Sequence, residues 1–536
     1  MNTTSLLYVT LQVTNTSIDW WHVIAAAVPI ILLIVLMGFL KMSGDKSAVI
    51  TMIATVIIGL AVYKFPLGDT GLTLIYGVLK AVFPILIIII MAIFSYNVLV
   101  FTKKMELIKE QFSSISSDKC VQVLLLTWGF GGLLEGMAGF GTAVAIPAAI
   151  LISLGFKPVF SAVVSLIANS VATGFGAVGT PVKVLAEQAN IENIQTLSTQ
   201  VVLQLSPLMI LIPFVLVFMT DPRIKAIPKH ILLSVIVGVV SLVTQYIAAR
   251  YMGAETPAIL GSIASILAII IYARITSGKE TKDIETKTPK HSFGAIVNAW
   301  SVYGLILLLV ILTSPLLPLR SILAPVSTTI FDANIFNSST QVDVLRTIKI
   351  SWLIDAGVLL FLGSMIGGFI QGAKPVELFK LLWKVLKQQK KTIITVCSLI
   401  ALSSVMDFSG MIGVLGAALA FATGSLYPLF APTIGCLGTF LTGSDTSSNI
   451  LFGKLQSSVA HATGADPSWL AAANTAGATG GKIISPQSIA VATSACGQQG
   501  QEGVIMKKAI PFALGYIVIA GLMVYFIPKL MGSILF

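Results

Sequence analysis

Residues 168–181 read ANSVATGFGAVGTP, and residues 473–486 read ANTAGATGGKIISP. Both open on Ala-Asn-Ser/Thr and close on Thr/Ser-Pro. Asn169 precedes Pro181 by the interval that separates Asn474 from Pro486 (181 − 169 = 12; 486 − 474 = 12). Gly176 and Gly481 coincide at the same offset (481 − 176 = 305). Each stretch interrupts an apolar run otherwise long enough to cross a bilayer. Paired Gly/Pro interruptions in corresponding places of two halves point to the midplane binding site of a secondary transporter.

Bulk properties agree. The 536 residues are 56% hydrophobic and 10% charged, against roughly 25% charged in a soluble domain. The mean hydropathy is +0.95. Many runs reach the ~20 residues that span hydrocarbon, so the lipid bilayer is the first expected partner. The formal charge of +11 would hint at nucleic acid in a soluble chain. Here Lys and Arg fall mostly in short loops, where they orient helices, and nucleic acid is not an expected partner. Cys120, Cys397, Cys436 and Cys496 are far apart, without metal-ligand spacing, and read as small packing residues. No Lys or Arg precedes the first apolar run, which therefore reads as a retained helix rather than a cleaved leader.

Apolar runs fall at about 22–40, 47–63, 71–101, 120–155, 158–186, 201–219, 231–249, 256–274, 293–317, 348–371, 392–425, 428–462, 467–496 and 508–530. The gaps at 102–119, 220–230, 275–292 (Lys279, Lys282, Lys287, Lys290), 372–391 and 497–507 carry Lys or Arg and are expected in the cytoplasm. The gap at 187–200 has none and that at 318–345 only Arg320, so these are expected outside. Two runs separate 102–119 from 187–200. One must enter and leave by the same face, and 120–155, broken by Gly129 to Gly141, is the candidate. The same count between 372–391 and 497–507 makes 428–462 a second hairpin, broken at Thr442 to Asn449.

The expected fold class is all-α, a polytopic membrane protein with about twelve transmembrane helices and two re-entrant hairpins in an inverted repeat. Both termini are expected outside. The first repeat is 1–220, with hairpin 120–155 and broken helix 158–186. A linking helix pair and cytoplasmic loop occupy 221–292. The second repeat is 293–536, with hairpin 428–462 and broken helix 467–496.

Irregular backbone at membrane depth must be buried in protein or line a watery cavity. The four breaks, Glu135 to Thr142, Asn169 to Pro181, Thr442 to Asn449 and Asn474 to Pro486, are therefore the expected site. One break alone would pass as ordinary helix kinking; four matched in pairs do not. Half-helix amino termini suit a carboxylate, and unwound carbonyls suit a cation or water. Expected substrate-binding residues are Gly139, Gly141, Thr142, Asn169, Ser170, Thr180, Ser444, Thr446, Ser447, Asn449, Asn474, Thr475, Lys482 and Ser485, with Lys482 pairing a substrate carboxylate. Ionisable residues at membrane depth are rare and usually functional. Glu135 and Asp445 at the hairpin tips, and Asp407 mid-run, are the candidate proton carriers. Asp407 reads equally as a structural partner of a nearby Ser, Thr or Lys. Lys454 reads as reaching for the headgroups, and His461 as interfacial. No phosphate loop, metal cluster or nucleophile elbow occurs, so no cofactor or metal is expected.

Residues Glu135-Gly136-Met137-Ala138-Gly139-Phe140-Gly141-Thr142-Ala143-Val144-Ala145-Ile146-Pro147 strongly resemble the bacterial L-lactate permease family. So do Ala168-Asn169-Ser170 with Gly176-Ala177-Val178-Gly179-Thr180-Pro181, and Thr442-Gly443-Ser444-Asp445-Thr446-Ser447-Ser448-Asn449. The resemblance covers most of the chain. It implies uptake of lactate and glycolate with protons across the bacterial cell membrane. It also implies kinship with ion transporters that have paired hairpins, broken helices and an elevator-like motion. A homodimer is one assembly open to such a protein.

Three other readings remain at this stage. A sodium-coupled di- or tricarboxylate transporter would keep the fold. An intramembrane enzyme would need a nucleophile–base pair or metal ligands at one depth, which four histidines hardly supply. A channel is disfavoured by closed hairpins.

Overall fold

In hydrocarbon, each backbone N–H and C=O must find a partner within the protein, and a helix does this within one segment. Almost every apolar run accordingly becomes a helix. The computed structural model describes residues 19–276 and 291–535, apart from 114, 117 and 140. Lys279, Lys282, Lys287 and Lys290, the amino-terminal end and Phe140 lie outside the described residues. Among those described, eleven helices are long and apolar enough to span a membrane, or twelve if the bent pair Pro158–Thr173 and Gly176–Ala189 counts as one span.

All four expected breaks are present. The first hairpin consists of Lys119–Met137 and Thr142–Ser153. Its turn uses Gly139 and Gly141 at φ of 63° and 85°, a region that costs an L side chain roughly 1–2 kcal/mol. The first broken helix bends by 49° between Thr173 and Gly176. The second hairpin consists of Tyr427–Thr442 and Asp445–Thr463, joined at Gly443 and Ser444. The second broken helix consists of Pro467–Lys482 and Pro486–Ala495. Proline lacks the N–H that a continuing helix needs, and Ser485 caps the restart by accepting from the Ser488 amide at 3.1 Å.

The order of elements repeats. Span Leu67–Phe101, short helix Lys104–Ser113, the first hairpin and the first broken helix lead to Ile194–Thr220. Lys390–Phe408, Met411–Thr423, the second hairpin and the second broken helix lead to Glu502–Leu535. The pair Ile227–Met252 and Pro257–Thr276 follows the first series and is no detached linker. A methyl on Gly136 would meet Ile259 Cγ1 at 2.9 Å, and one on Gly132 would meet Ser262 Oγ at 2.6 Å.

Small residues set the tightest packing, as expected where helices gain no hydrophobic drive from lipid. Gly477 and Gly481 lie against the backbone carbonyls of Pro432 and Cys436, and Gly435 against that of Asn474, with no room for a Cβ at any of the three. The second hairpin and second broken helix are thus locked backbone to backbone.

Two Lys-bearing gaps and the edges of two others gather at one end of the bundle. Lys229 Nζ sits 2.6 Å from Asp118 Oδ2, His291 Nε2 3.0 Å from Glu110 Oε2, and Thr102 Oγ1 donates to Gln371 Oε1 at 2.7 Å.

Several expectations need correction. The fold is not purely α. The expected external loop forms an antiparallel hairpin, strand β1 (Ser327–Asn337) against strand β2 (Val342–Ser351). β-Branched Val342, Val344, Thr347, Ile348 and Ile350 favour a strand there, so the run placed at 348–371 is a shorter helix, Ala356–Ile370. The hairpin is tied down where Phe336 N donates to Asp69 Oδ1 at 3.0 Å and Ser338 N to the Phe408 carbonyl at 2.8 Å. The run at 392–425 is two helices parted at Gly410, φ 89°. The gaps at 102–119 and 372–391 contain helices Lys104–Ser113 and Pro375–Gln388.

Candidate functional site

Each broken helix packs its break on the tip of the hairpin that precedes it. In the first half, a methyl on Gly139 would meet Ala177 Cβ at 3.3 Å. In the second, Lys482 Nζ donates to the Gly443 carbonyl at 3.0 Å. Ala177 and Lys482 share the offset of the sequence match (482 − 177 = 305). The same place in the two halves thus holds a methyl in one and an ammonium in the other.

The breaks differ in backbone. Ala177, Val178 and Gly179 stand consecutively in left-handed conformation, with φ of 44°, 54° and 73°. For β-branched Val178 this is a strained state, of a kind that clusters at functional sites. Gly179 lies against the Ala254 carbonyl, where a Cβ has no room. The second break restarts instead from an extended residue, Ser485.

The halves also cross. Gly174, in the first break, faces Thr475 Cγ2 and Thr479 Cγ2, which a methyl there would meet at 3.1 and 3.2 Å. A methyl on Gly141, at the first tip, would meet Val491 Cγ1 at 3.2 Å. Asn449 Nδ2 donates to the Pro181 carbonyl at 3.0 Å and to Thr475 Oγ1 at 2.9 Å. Asn474 Nδ2 donates to Asn449 Oδ1 at 2.9 Å, Gln456 Nε2 to Asn474 Oδ1 at 3.3 Å, and the Tyr427 hydroxyl to Gln456 Oε1 at 2.8 Å. The five side chains are fully or almost fully buried. A network of this kind, satisfied throughout, holds one geometry.

Against this saturated network stands a group left open. Glu135 Oε2 and Asp445 Oδ2 are buried without a hydrogen-bond partner, and the Asn169 amide lies against the Glu135 carboxylate. Glu135 and Asp445 are each 3% exposed, and Asn169 is fully buried. Thr439 Oγ1 donates to the other oxygen of Asp445 at 3.2 Å. Lys482 lies close enough to act on the charge of both Glu135 and Asp445, and the two carboxylates act on one another. Buried polar atoms are in general mostly paired, and these stand out from other unpaired ones such as Ser165 Oγ and Gln204 Oε1 by lying together around one lysine. Two carboxylate oxygens therefore stand open to a small polar guest and protons, with the Asn169 amide beside them and the Lys482 ammonium on the Gly443 carbonyl.

The hydroxyls expected to bind substrate are partly engaged at home. Ser170, Thr180 and Thr142 donate to the carbonyls of Ile167, Ala177 and Gly139 at 2.7, 2.6 and 2.8 Å. Ser485 donates to Ser488 Oγ at 3.0 Å. Ser444 caps Asp445–Thr463 by accepting from the Ser447 amide at 3.2 Å. Thr446 and Ser447 are buried in that first turn. The oxygens of Ser170, Thr180 and Thr142 keep acceptor capacity, but their protons are committed to backbone carbonyls.

Asp407 is not brought to the hairpin tips. It pairs with Lys454 at 3.6 Å and lines a separate cavity with Lys80, Glu187, Gln188 and Arg346. Lys454 is thus held by a carboxylate rather than by headgroups. His461 is exposed at the end of the hairpin limb. Among the described residues, no cluster of His, Cys, Asp and Glu has the makings of a metal site. Sequence reading missed Tyr516, whose hydroxyl lies 2.8 Å from Thr479 Oγ1, and the Tyr427–Gln456 pair. Each stands within an apolar run, and nothing in its spacing marks it.

The L-lactate permease family profile matches residues 22–531. An L-lactate permease of Streptococcus iniae is 39% identical over 455 residues, covering 84% of this chain and 94% of that one. A glycolate permease of Escherichia coli K12 is 32% identical over 533 residues, covering 93% and 94%. An L-lactate permease of Bacillus subtilis 168 is 32% identical over 529 residues, covering 92% and 93%.

Proposed function

The chain belongs to the L-lactate permease family, and from that premise we propose that it imports L-lactate and similar small 2-hydroxymonocarboxylates, glycolate among them, by proton symport. It is a multi-pass protein of the bacterial cell membrane, and its work is transport, not catalysis. The observation that carries the reading is the open group at the tips: two unpartnered carboxylate oxygens, Glu135 Oε2 and Asp445 Oδ2, with the Asn169 amide against Glu135 and Lys482 within electrostatic reach of both.

Charge decides why protons are needed. Lactate bears one negative charge, and importing it alone against an inside-negative potential costs about 2.3 kcal/mol per 100 mV. The site adds two carboxylates and one lysine. With both carboxylates ionised, the incoming anion meets net repulsion. Each proton taken by Glu135 or Asp445 relieves it and supplies a new O–H donor. Lys482 and the Asn169 amide hold the substrate carboxylate. The 2-hydroxyl lies among Ser170, Thr180, Thr475 and the Ser444–Ser447 turn, and Gly139 and Gly141 leave space for a guest of this size.

On this reading 1–220 and 293–536 are two inverted repeats, with 221–292 between them. The hairpins and broken helices move as one rigid unit past a scaffold of the longer spans. The locked packing of Gly477 and Gly481 on Pro432 and Cys436 supports a rigid unit.

Proteoliposomes with an imposed pH gradient test the proposal. The parent protein accumulates labelled L-lactate without sodium. Glu135→Gln and Asp445→Asn lose proton-driven accumulation and keep lactate counterflow. Full accumulation by both variants, or a requirement for sodium, overturns it.

A further inference from the structure

Helix Pro375–Gln388 packs one edge and leaves the other bare. Leu378 and Val385 are buried, whereas Val376, Phe379 and Trp383 are 64%, 55% and 60% exposed. At 100° per residue, positions 376, 379 and 383 form one stripe. Lys380, Lys384 and Lys387, all exposed, form the adjoining stripe. Lys387 Nζ lies 5.4 Å from the centre of the Trp383 ring, so the two stripes meet edge to edge. Lys374, Lys390 and Lys391 extend the positive surface at the helix ends. The helix joins the bundle at the Lys-rich end, next to the Thr102–Gln371 bond.

We propose that this face is a binding site for anionic phospholipid. The apolar stripe enters the acyl boundary of the cytoplasmic leaflet, and the lysine stripe takes phosphates at headgroup level. Three features select this occupant. The helix is too short to span hydrocarbon. Its apolar and cationic stripes lie side by side, as they do in helices that rest in an interface. The stripe is positive, the carboxylate of Glu377 on the same helix being taken up by the Lys374 amide, and several lysines together are drawn to an anionic leaflet strongly enough to discriminate between headgroups. Phe379 and Trp383 add a ring surface suited to the boundary between tails and headgroups. Since the helix connects Ala356–Ile370 to Lys390–Phe408, bound lipid would fix the height of both in the bilayer.

The test uses the full-length protein in detergent, offered equal phosphatidylglycerol and phosphatidylcholine, with retained lipid read by native mass spectrometry. Wild type retains phosphatidylglycerol at least fivefold over phosphatidylcholine. The triple variant Lys380→Gln/Lys384→Gln/Lys387→Gln brings the ratio close to one, and Phe379→Ser/Trp383→Ser lowers retention of both lipids. A wild-type ratio near one overturns the proposal without recourse to any variant. So does displacement of phosphatidylglycerol by equal inorganic phosphate. Quantitative crosslinking between copies through Trp383→Cys overturns it as well, by giving the face to a second copy of the chain.

Discussion

Asn449, on the returning limb of the second hairpin, donates to the carbonyl of Pro181 in the first broken helix at 3.0 Å. The bond joins residues 268 apart and is one of several contacts between the two halves, with Gly174 on Thr475 and Gly141 on Val491.

Asn449→Ala removes that bond, the side-chain partner of Thr475 and one of the partners of Asn474 together. Leaving buried polar atoms unpaired costs about 1–3 kcal/mol each. The expected outcome is a lower melting temperature in detergent and at least tenfold slower L-lactate uptake. Unchanged melting would mean that the bond holds nothing in place.

Lys482 is the cation of the tip region. Lys482→Met is expected to raise the KM for L-lactate by more than tenfold while the protein stays folded, because its partner at the tip is a neutral carbonyl. Lys482→Arg restores part of the affinity, since charge is kept and shape is not. Competition by a neutral amide analogue of lactate separates charge from fit: the lysine loss leaves that analogue's weak binding unaltered.

Asp407 pairs with Lys454, away from the tips. Asp407→Asn should therefore keep the pH-gradient dependence of accumulation, with uptake reduced by less than about threefold, the scale of a partly exposed pair worth about 0–1 kcal/mol. Loss of proton coupling in this variant would move the proton path through Asp407.

Gly477→Ala and Gly481→Ala place a methyl on the carbonyls of Pro432 and Cys436. Backbone cannot yield as a side-chain end can, and overpacking of this kind costs about 1–3 kcal/mol or more. Both variants are expected to melt earlier and to yield less folded protein. Gly515→Ala, with open space around it, is the matched control and should behave as wild type.

Asp118 gives a pH test outside the spans. Burial disfavours its charge. The Lys229 ammonium at 2.6 Å and the amides of Cys120 and Val121 outweigh burial and hold the carboxyl below its usual range. A depressed carboxyl stabilises the fold above its unfolded pKa, and that gain is lost as pH falls through the folded value. Wild type should therefore exceed Asp118→Asn in stability at neutral pH, and the difference should shrink below about pH 4. Thermal melts from pH 7 to pH 3 read it directly.

The breaks were legible because their signals are local. Gly139, Gly141 and Gly443 adopt conformations that other residues avoid, and Pro181 and Pro486 remove an N–H, whatever surrounds them. The meeting of Lys482 with Gly443, and of Asn449 with Pro181, was not legible, because sequence periodicity says nothing of which tip faces which break. Tyr516 was invisible for the same reason. Strands β1 and β2 were missed through the opposite fault. Their β-branched alternation merged into the apolar run that follows, and hydropathy alone does not distinguish a strand from the start of a span. Asp407 was identified as a polar residue in an apolar setting, but its partner fixes its role, and Lys454 is supplied by another element.

The Ala177–Lys482 difference bears on which way round a guest sits. A cradle with perfect two-fold symmetry would hold a small guest in two orientations of equal energy and so would average over them during each cycle. A methyl on one side and an ammonium on the other remove that degeneracy. The guest then has a single head and a single tail within the site. A fixed direction of the guest thus comes from the divergence between the two breaks, and Ala177→Lys, by placing a second ammonium at the matching position, should weaken it.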